Sequence, residues 1–392
     1  MAKISKFLSP KELAEYYIAN NLNKLEVINL LFSIIEECGD GKIRAEYIKL
    51  FDDLHLHNKK VFQFLEHLLI SDENSVVRAT SAKLIMRKYP NEMLLPIKWT
   101  IQKDKSFLVL TMINKHLSNV NNEVDDVLIK ELSARVQKIA DNYGLVQQEA
   151  LFLMDIGFDE VLYKDTRTSN RFNIIYGNNN IMCAVRNGYI RALSISSWTP
   201  ESLPKSIGNL SKLRYLNLSC NDLTLLPESM ESLSRLRYLD LGWNEFTTIP
   251  NFLAKVNSIR YLRLDLDHNE IETIPKFVKK LKQLKYLNLK SNKIKKIPIS
   301  IGLLKNLEVL DLRENEIETI PYSIGLLTSL KELLLSHNKI ISLPNTITQL
   351  KSLEVLDLAY NNINDFPKEI YKLKNLRSLN LKNNNITDAT NS

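Results

Sequence analysis

The chain has 392 residues, 44% of them hydrophobic, so it is long enough for two or three domains with packed cores. The formal net charge is +7, and the excess lies after residue 189, since residues 1–189 carry 24 basic and 24 acidic side chains. No apolar run reaches about 18 residues and the first residues lack a signal-peptide core, so we expect no membrane-spanning helix. Three cysteines far apart in sequence (Cys38, Cys183 and Cys220) argue against a disulfide framework and indicate a cytoplasmic protein.

Helical patterns dominate the first 156 residues. Ser9-Pro10-Lys11-Glu12 is typical of a helix start, with a capping serine, a proline in the first turn and a glutamate three residues after the serine. Apolar residues then recur at helical spacing in segments that come in pairs. The predicted pairs are 22–37 with 42–54, 58–70 with 74–88, 91–102 with 106–117, and 123–140 with 144–156.

Aspartates mark the turns of these helix pairs. They are Asp40, Asp72, Asp104 and Asp141, separated by 32, 32 and 37 residues. The stretch from Asp72 through Val77-Arg78 resembles the HEAT repeat, in which an aspartate turn precedes Val-Arg and a small residue. A shorter copy follows Asp40, and the third and fourth pairs lack the arginine. The resemblance implies a helical solenoid with a binding surface, and another helical bundle is the alternative.

One cluster in the helical part carries side chains of the metal-ligand types. Asp52, Asp53, His55 and His57 lie close together in sequence. No second pair of ligands follows at the spacing of a zinc site. The cluster is therefore interpreted as a polar loop between helices, and no metal is predicted.

Residues 157–189 change to a strand pattern. Apolar and polar residues alternate from Phe172 to Tyr176 and from Ile181 to Val185, and Asn187-Gly188 is typical of a two-residue hairpin turn. We interpret this segment as a small β cap, because a terminal repeat needs cover for its core.

From residue 190 onward, one sequence motif is repeated. It reads Leu-x-x-Leu-x-Leu-x-x-Asn, and a proline follows six residues after most of the asparagines. The asparagines are Asn221, Asn244, Asn269, Asn292, Asn315, Asn338, Asn361 and Asn384, at intervals of 23 residues with a single interval of 25. A ninth, degenerate copy begins at Ile190, with Trp198 in the asparagine position. A fixed period of this length is typical of a solenoid.

Both leucines of Leu-x-Leu point to one side of a strand, and a strand this short buries them only by stacking on the next copy. The asparagine amide is expected to bond backbone groups where the chain leaves the strand. The repeat resembles the leucine-rich repeat family, in the cytosolic 23-residue class with Leu-Pro that Ras-suppressor-like proteins share. The fold class implied is α/β: a horseshoe solenoid with a parallel sheet on its concave face, preceded by an all-α HEAT-like domain. We predict a helical domain at 1–156, a β-hairpin junction at 157–189 and about nine repeats at 190–392.

Residues between the inward leucines have no role in the core, so their repetition indicates a function. Four tyrosines take equivalent positions if the two extra residues of the long repeat lie near Asp265-Leu266; they are Tyr215, Tyr238, Tyr261 and Tyr286. Such a row, edged by basic residues, suits a partner-binding surface on the concave face. A register that starts the long repeat at Tyr261 would break the row.

Further residues extend this predicted site. Trp243 precedes Asn244, and Asp265, Asp267 and His268 would stand beside it, where the two extra residues would form a bulge. The predicted partner-binding residues are Arg214, Tyr215, Arg237, Tyr238, Asp240, Trp243, Arg260, Tyr261, Arg263, Asp265, Asp267, His268, Tyr286 and Arg313.

Lysines are concentrated in residues 276–296, which hold nine lysines and no acid. Glu270 and Glu316 would lie on either side of Lys293 in neighbouring repeats, which predicts ion pairs across the repeats. The alternative is an anion-binding patch, built on Lys276, Lys279, Lys280, Lys282 and Lys296.

The sequence contains none of the nucleotide, metal or nucleophile motifs that we sought, so it indicates no enzyme and no cofactor. The leading interpretation is a non-catalytic scaffold or adaptor that binds a protein partner of unknown identity. The family resemblance makes a small GTPase or a signalling complex the first candidate. One alternative is single-stranded nucleic-acid binding through a Tyr/Arg platform, which acidic later repeats disfavour. Another is a substrate adaptor for an enzyme on another chain.

The final copy of the repeat begins at Leu376 and lacks the proline and the leucines of the return half. Its core layer is expected to be incompletely covered. We expect weak self-association through this end, or fraying of residues 385–392.

Overall fold

The computed structural model of the protein describes residues 9–19, 23–118, 123–156, 161–165, 173–177, 180–197, 202–256, 262–365 and 367–386. The chain divides into two compact units, Met1–Asp159 and Glu160–Ser392. The first unit is helical and the second is built on a sheet. Within the described residues, no helix is both long and apolar enough to cross a bilayer.

The described part of the first unit contains nine α-helices. They are α1 (Pro10–Ala19), α2 (Lys24–Glu37), α3 (Gly41–Asp53), α4 (Lys59–Ser71), α5 (Ser75–Lys88), α6 (Leu94–Lys103), α7 (Phe107–Leu117), α8 (Glu123–Tyr143) and α9 (Gln147–Asp155). The four predicted helix pairs are therefore confirmed as α2 to α9, with bounds that differ by a few residues.

The helices begin where the sequence provides capping side chains. The backbone N–H of Glu12 donates to the Ser9 hydroxyl (3.3 Å), and the N–H of Ser9 donates to the Glu12 carboxylate (2.7 Å). Asn23 and Glu26 form the same reciprocal arrangement at the start of α2. The predicted helix start at Ser9 is confirmed.

Large apolar side chains fill the core of this unit. Leu31, Ile35 and Leu65 are fully buried. The ring of Phe32 in α2 stacks on that of Phe64 in α4, with centroids 4.2 Å apart. Contacts of this kind join one helix pair to the next.

Two arginines connect successive helix pairs through the aspartate turns. Arg44 in α3 contacts Asp72 at 2.5 Å, and both side chains are largely buried. Arg78 in α5 donates two hydrogen bonds to the carboxylate of Asp104, from Nε at 2.8 Å and from Nη2 at 3.0 Å. Each aspartate also accepts a backbone N–H in its own turn, from Asn74 and Ser106 respectively. Charge-assisted pairs of this geometry fix one turn against the preceding helix.

Asp52, one of the candidate metal ligands, is held by two cations at the end of α5. Its carboxylate lies 2.5 Å from Lys88 Nζ and 2.7 Å from Arg87 Nη1. Burial alone would raise the pKa of Asp52, but the contacts with Lys88 and Arg87 outweigh it and lower the pKa. Among the described residues, no group of three or more His, Cys, Asp or Glu side chains is arranged to hold a metal ion.

Twelve strands form the sheet in the described part of the second unit, in the order of the sequence. They are β1 (Val161–Asp165), β2 (Asn173–Gly177), β3 (Ile181–Arg186), β4 (Tyr189–Ile195), β5 (Tyr215–Asn217), β6 (Tyr238–Asp240), β7 (Leu262–Asp265), β8 (Leu284–Asn288), β9 (Val309–Asp311), β10 (Glu332–Leu334), β11 (Val355–Asp357) and β12 (Ser378–Asn380).

The sheet changes character at β4. Strands β1 to β4 are antiparallel neighbours, and β3 and β4 are joined at Asn187 (φ +53°) and Gly188 (φ +78°). Two successive positive φ angles are what a tight hairpin turn of the primed type requires, so the Asn-Gly hairpin is present as predicted. From β4 to β12 all neighbours are parallel, beginning with Leu193 opposite Leu216. The predicted parallel sheet is confirmed. Trp198, which takes the asparagine position in the degenerate copy, lies outside the described residues.

After each strand from β4 to β11 the chain returns through a proline and a short 3-10 helix. These helices are Lys205–Asn209, Glu228–Ser232, Asn251–Ala254, Lys276–Lys280, Ile299–Leu303, Tyr322–Leu326, Asn345–Gln349 and Lys368–Lys372. Ile301 and Leu304 of the return half and Leu310 of β9 are all fully buried. The core of the unit therefore lies between the strands and the return halves.

Each repeat asparagine bonds two repeats together. Asn315 Nδ2 donates to the carbonyls of Leu289 in the preceding repeat (2.8 Å) and Leu312 in its own (3.1 Å). Its Oδ1 accepts the backbone N–H of Ile294 at 3.0 Å. The same three bonds recur at every repeat asparagine from Asn244 to Asn384. The predicted role of the asparagine is confirmed.

Candidate functional site

The strand face of the second unit is the solvent-facing side of β4 to β12, together with the two residues that precede each repeat asparagine. Its first column contains the residue directly before the first leucine of each Leu-x-Leu. In strand register this column reads Tyr215, Tyr238, Arg263, Tyr286, Val309, Glu332, Val355 and Ser378. Aromatic side chains are therefore concentrated at β5 to β8.

The predicted row of four tyrosines is wrong at its third position. Tyr238 pairs with Arg263, which in turn pairs with Tyr286. Arg260 and Tyr261 lie outside the described residues. The two extra residues of the long repeat thus precede β7, and the only register shift along β7 and β8 falls between Leu262 and Arg263 in the described residues. The bulge predicted near Asp265 is absent there.

The asparagine ladder explains this register. Asn269 Nδ2 donates to the carbonyl of Leu266, three residues before it, and to that of Leu241 in the preceding repeat. Two extra residues between Leu264 and Asn269 would break this pattern, whereas extra residues before the strand leave it intact. Leu264 and Leu266 accordingly take the buried positions opposite Leu239 and Leu241.

Rings and a guanidinium group line up in the first column. The rings of Tyr215 and Tyr238 are stacked, with centroids 4.3 Å apart and planes 6° apart. The guanidinium carbon of Arg263 lies 5.6 Å from the Tyr238 centroid and 3.8 Å from the Tyr286 centroid. Burial and the nearby Asp240 carboxylate raise the pKa of Tyr238, whose hydroxyl donates to Asp240 Oδ2 at 3.1 Å. The row is therefore a tyrosine–arginine row in which the Tyr238 hydroxyl stays protonated.

A second column is formed by the residue before each asparagine. All of these residues have φ between +50° and +57°; they are Ser197, Cys220, Trp243, His268, Ser291, Glu314, His337, Tyr360 and Asn383. A bulky residue rarely adopts this left-handed conformation unless its surroundings enforce it. Here the backbone bonds on both sides enforce it, since Trp243 N–H donates to the Asp267 carbonyl and its own carbonyl accepts from Asn221.

Aromatic pairs occur at two places in this second column. Trp243 stacks on His268, with centroids 3.9 Å apart, and the Trp243 side chain is 56% exposed. His337 stacks on Tyr360, with centroids 4.2 Å apart. The first pair was predicted as part of the site. The second was missed, although both residues precede a repeat asparagine, which is the signal that identifies the column.

Three carboxylates lie between the two aromatic columns at β6 and β7. Asp240 and Asp265 are register partners, and Asp267 follows two residues after Asp265. A Cβ atom on Gly242 would lie 2.2 Å from Asp267 Oδ1, so the glycine makes room for this carboxylate. Burial, and then the neighbouring carboxylates of Asp267 and Asp240, raise the pKa of Asp265 to about 7. Asp267 Oδ2 in turn lies 2.7 Å from Nδ1 of His268.

The other predicted residues lie at the margins of this arrangement. Arg214 and Arg237 are exposed and lie just before the tyrosines of β5 and β6. Arg313 contacts the carboxylate of Asp311 through Nη2 at 2.6 Å, so its charge is already paired. The structure thus brings together Tyr238, Trp243 and their neighbours on β5 to β8, and leaves Arg313 in a separate ion pair.

The residue pattern of this unit matches known sequence families. A leucine rich repeat model matches residues 190–246, and a leucine-rich repeat region model matches residues 264–392. No curated protein matches the chain.

Among solved structures, a leucine-rich repeat protein of Leptospira interrogans is 37% identical over 50% of this chain and 49% of its own, with a TM-score of 0.47. The ectodomain of an Arabidopsis thaliana membrane receptor kinase, solved with CASPARIAN STRIP INTEGRITY FACTOR 2, is 32% identical over 50% of this chain and 24% of its own (TM-score 0.45). The functional domain of InlJ from Listeria monocytogenes is 24% identical over 51% and 41% (TM-score 0.44). The chain spans about half the length of the first protein and less of the other two. Together with the asparagine ladder, the two family matches show that residues 190–246 and 264–392 carry leucine-rich repeats.

Proposed function

We propose that the chain is a non-catalytic scaffold that binds a protein partner on the strand face of β5 to β8. The observation that carries this proposal is the pair of adjacent aromatic stacks, Tyr215 on Tyr238 and Trp243 on His268, on a face whose side chains have no role in the core. Tyrosine and tryptophan are enriched among the residues that dominate binding energy in interfaces. Solenoid repeats commonly use such extended faces for binding.

The rings on this face are already ordered by stacking. Tyr238 is also held by its hydrogen bond to Asp240 (3.1 Å), and Trp243 by its stack on His268. A partner would therefore lose little additional conformational freedom when it orders them, which favours affinity. The carboxylates of Asp240 and Asp267 at the centre would suit a partner that contributes a cation.

The same carboxylates weaken the alternative of single-stranded nucleic acid. Bases could stack on the tyrosines, but their phosphates would approach Asp240, Asp265 and Asp267. A substrate adaptor for an enzyme on another chain is a special case of the scaffold. The resemblance to the cytosolic Ras-suppressor-like class supports a cytoplasmic location and makes a small GTPase or signalling complex the first partner to test. Within the described residues no disulfide joins the three cysteines, which agrees with that compartment.

For the first unit we propose a HEAT-like helical domain at residues 1–156, followed by a junction at 157–189 and the repeats at 190–392. Support comes from the pairs Arg44–Asp72 and Arg78–Asp104, which occur at corresponding turns of successive helix pairs. Weak self-association through the last repeat stays a prediction, and sedimentation velocity over a range of concentrations tests it.

Affinity capture with mass spectrometry from the native cell tests the proposal, with three full-length baits compared. The first is the wild type, and the second is Tyr238→Ala/Trp243→Ala. The third, Tyr322→Ala/Tyr371→Ala, is a matched control that removes two exposed rings from the 3-10 helices of the return halves. We expect a protein retained by the wild type and the control and lost by the second bait. Equal recovery by all three baits would contradict a site on the strand face.

A further inference from the structure

A second candidate site lies away from the strand face, where two successive repeats turn from their return halves into β8 and β9. Here Lys279, Lys280, Lys282 and Lys305 line a cavity of about 640 Å³. This lysine cavity also has the amides of Gln283 and Asn306 in its wall. Cavities of this size are in the range that holds small-molecule ligands, roughly 300–1,000 Å³.

Seven of the lysines of this region fall into two groups. Residues 276–307 contain ten lysines and no acid. Three of them, in or near the strands, are paired across repeats: Lys285 with Glu308 (2.5 Å), Lys290 with Glu314 (3.1 Å), and Lys293 with Glu270. The predicted ion pair of Lys293 is thus confirmed, and carboxylates balance the charge on the strand side.

The four lysines of the cavity belong to the other group. In the described part of the chain, none of them forms an ion pair with a carboxylate. All four side chains are exposed. Ammonium groups gathered around one concavity raise the local concentration of anions.

The wall of the cavity is fixed by bonds between repeats. Asn306 Nδ2 donates to the carbonyl of Lys282 in the preceding repeat at 2.8 Å, which ties the two turns together. Lys305 Nζ donates to the carbonyl of Leu326 in the following repeat at 2.7 Å. Leu303, which is 48% exposed, adds an apolar surface. The lysines thus belong to two turns that hydrogen bonds between repeats hold in place.

We propose that the lysine cavity binds a ligand that carries two or more phosphate groups. Several ammonium groups and amide donors around one space suit clustered, multiply charged oxygens, and lysine is a common point-charge partner of phosphate. A single phosphate would use only part of this set. The ligand is either a free polyphosphorylated molecule or the headgroup of a phosphorylated lipid. This site is independent of the partner proposed for the strand face.

Titration of the full-length chain with tripolyphosphate, followed by calorimetry at low salt, tests the proposal. We expect one bound ligand, and Lys282→Gln/Lys305→Gln should weaken binding by about tenfold or more. The matched control is Lys351→Gln/Lys374→Gln, which removes the same charge from equivalent turns of later repeats. In the turn of Lys351, Thr348 and Gln349 take the positions of Lys279 and Lys280. The control should bind like the wild type. Melting temperatures should agree among the three proteins, since these side chains are exposed.

A second experiment, with lipid vesicles, identifies the source of the phosphates. Vesicles of phosphatidylcholine with and without phosphatidylinositol 4,5-bisphosphate are sedimented with the wild type and both variants. Binding that requires the phosphoinositide, Lys282 and Lys305 would support the lipid source, and tripolyphosphate binding without vesicle binding would support a free ligand. Equal losses in the two variants, no binding of either probe, or equal displacement by sulfate at the same ionic strength would overturn the proposal.

Discussion

The guanidinium group of Arg263 lies over the ring of Tyr286, with its central carbon 3.8 Å from the ring centroid. The same carbon is 5.6 Å from the centroid of Tyr238 on the other side, so one cation bridges rings from β6 and β8. Tyr215 continues the row by stacking on Tyr238. The aromatic part of the strand face is thus a continuous row held by a cation, beside a group of three carboxylates.

Arg263→Ala should destabilise the chain by about 0.5–1 kcal/mol, the usual value of an exposed cation–ring contact. Urea denaturation of the wild type and the variant measures this change. Arg237→Ala is the control, because the described part of the chain shows no ring contact for Arg237. Equal effects of the two substitutions would show that the bridge contributes nothing beyond a surface charge.

The stability of the chain should depend on the protonation of Asp265. The pKa of Asp265 is raised to about 7 in the folded chain, against roughly 3.9 for an unfolded aspartate. The folded state therefore binds more protons between these values, and its stability should fall as pH rises from about 4 to about 7. The full loss above that range is on the order of a few kcal/mol.

Asp265→Asn removes this titration. In the wild type, Asn288 Nδ2 donates to Asp265 Oδ1 at 2.6 Å, and the side-chain carbonyl of the variant can still accept this hydrogen bond. The difference in unfolding free energy between the wild type and the variant, measured from pH 4 to pH 8, should therefore move in favour of the variant as pH rises. A difference that does not change with pH would refute the assignment.

Gly242→Ala should displace the carboxylate of Asp267, because the added Cβ would lie 2.2 Å from its Oδ1. We expect a loss of about 1 kcal/mol, at the low end of overpacking costs, because the displaced atom is the tip of a side chain that can turn aside. The test is a double-mutant cycle with Asp267→Ala, in which the cost of Gly242→Ala should become much smaller. Additive effects of the two substitutions would rule out this steric relationship.

Asn315→Ala should be strongly destabilising, because it leaves the carbonyl of Leu289 and the N–H of Ile294 without their partner inside the repeat core. We expect a loss of about 2–4 kcal/mol, the sum of more than one unsatisfied buried group. The control is Asn362, which is exposed and directly follows the repeat asparagine Asn361. Asn362→Ala should change stability by less than about 0.5 kcal/mol. Guanidinium denaturation distinguishes the two, and similar midpoints for both variants would contradict the ladder's importance.

Much of the fold follows from the period of the repeat. The spacing of Leu216, Leu218 and Asn221 predicts a short inward-facing strand and an asparagine whose amide bonds the departing backbone, and the structure has both. The stack of Tyr215 on Tyr238 is also accessible from sequence, because equal spacing places equal positions side by side.

The register of the long repeat was harder to predict, because two apolar patterns fit the same stretch. Ile259 with Leu262 and Tyr261 with Leu264 both satisfy the spacing of inward residues. Only the distance from Leu266 to Asn269 decides between them, since the amide of that asparagine has to reach the carbonyl three residues before it. The left-handed backbone conformation before each asparagine could not be predicted from the sequence either, because residues such as Trp243 and Tyr360 do not favour it on their own.

The most direct test of the strand face as a partner site is the affinity of the captured partner for purified Tyr238→Ala/Trp243→Ala. Each substitution should cost roughly 1–3 kcal/mol of binding, while folding changes by about 1 kcal/mol from the lost ring stack. Calorimetry gives the binding constant, thermal denaturation gives the stability, and Tyr322→Ala/Tyr371→Ala should match the wild type in both. Unchanged affinity of the double variant, or a large fall in its melting temperature that explains the lost binding, would contradict the account.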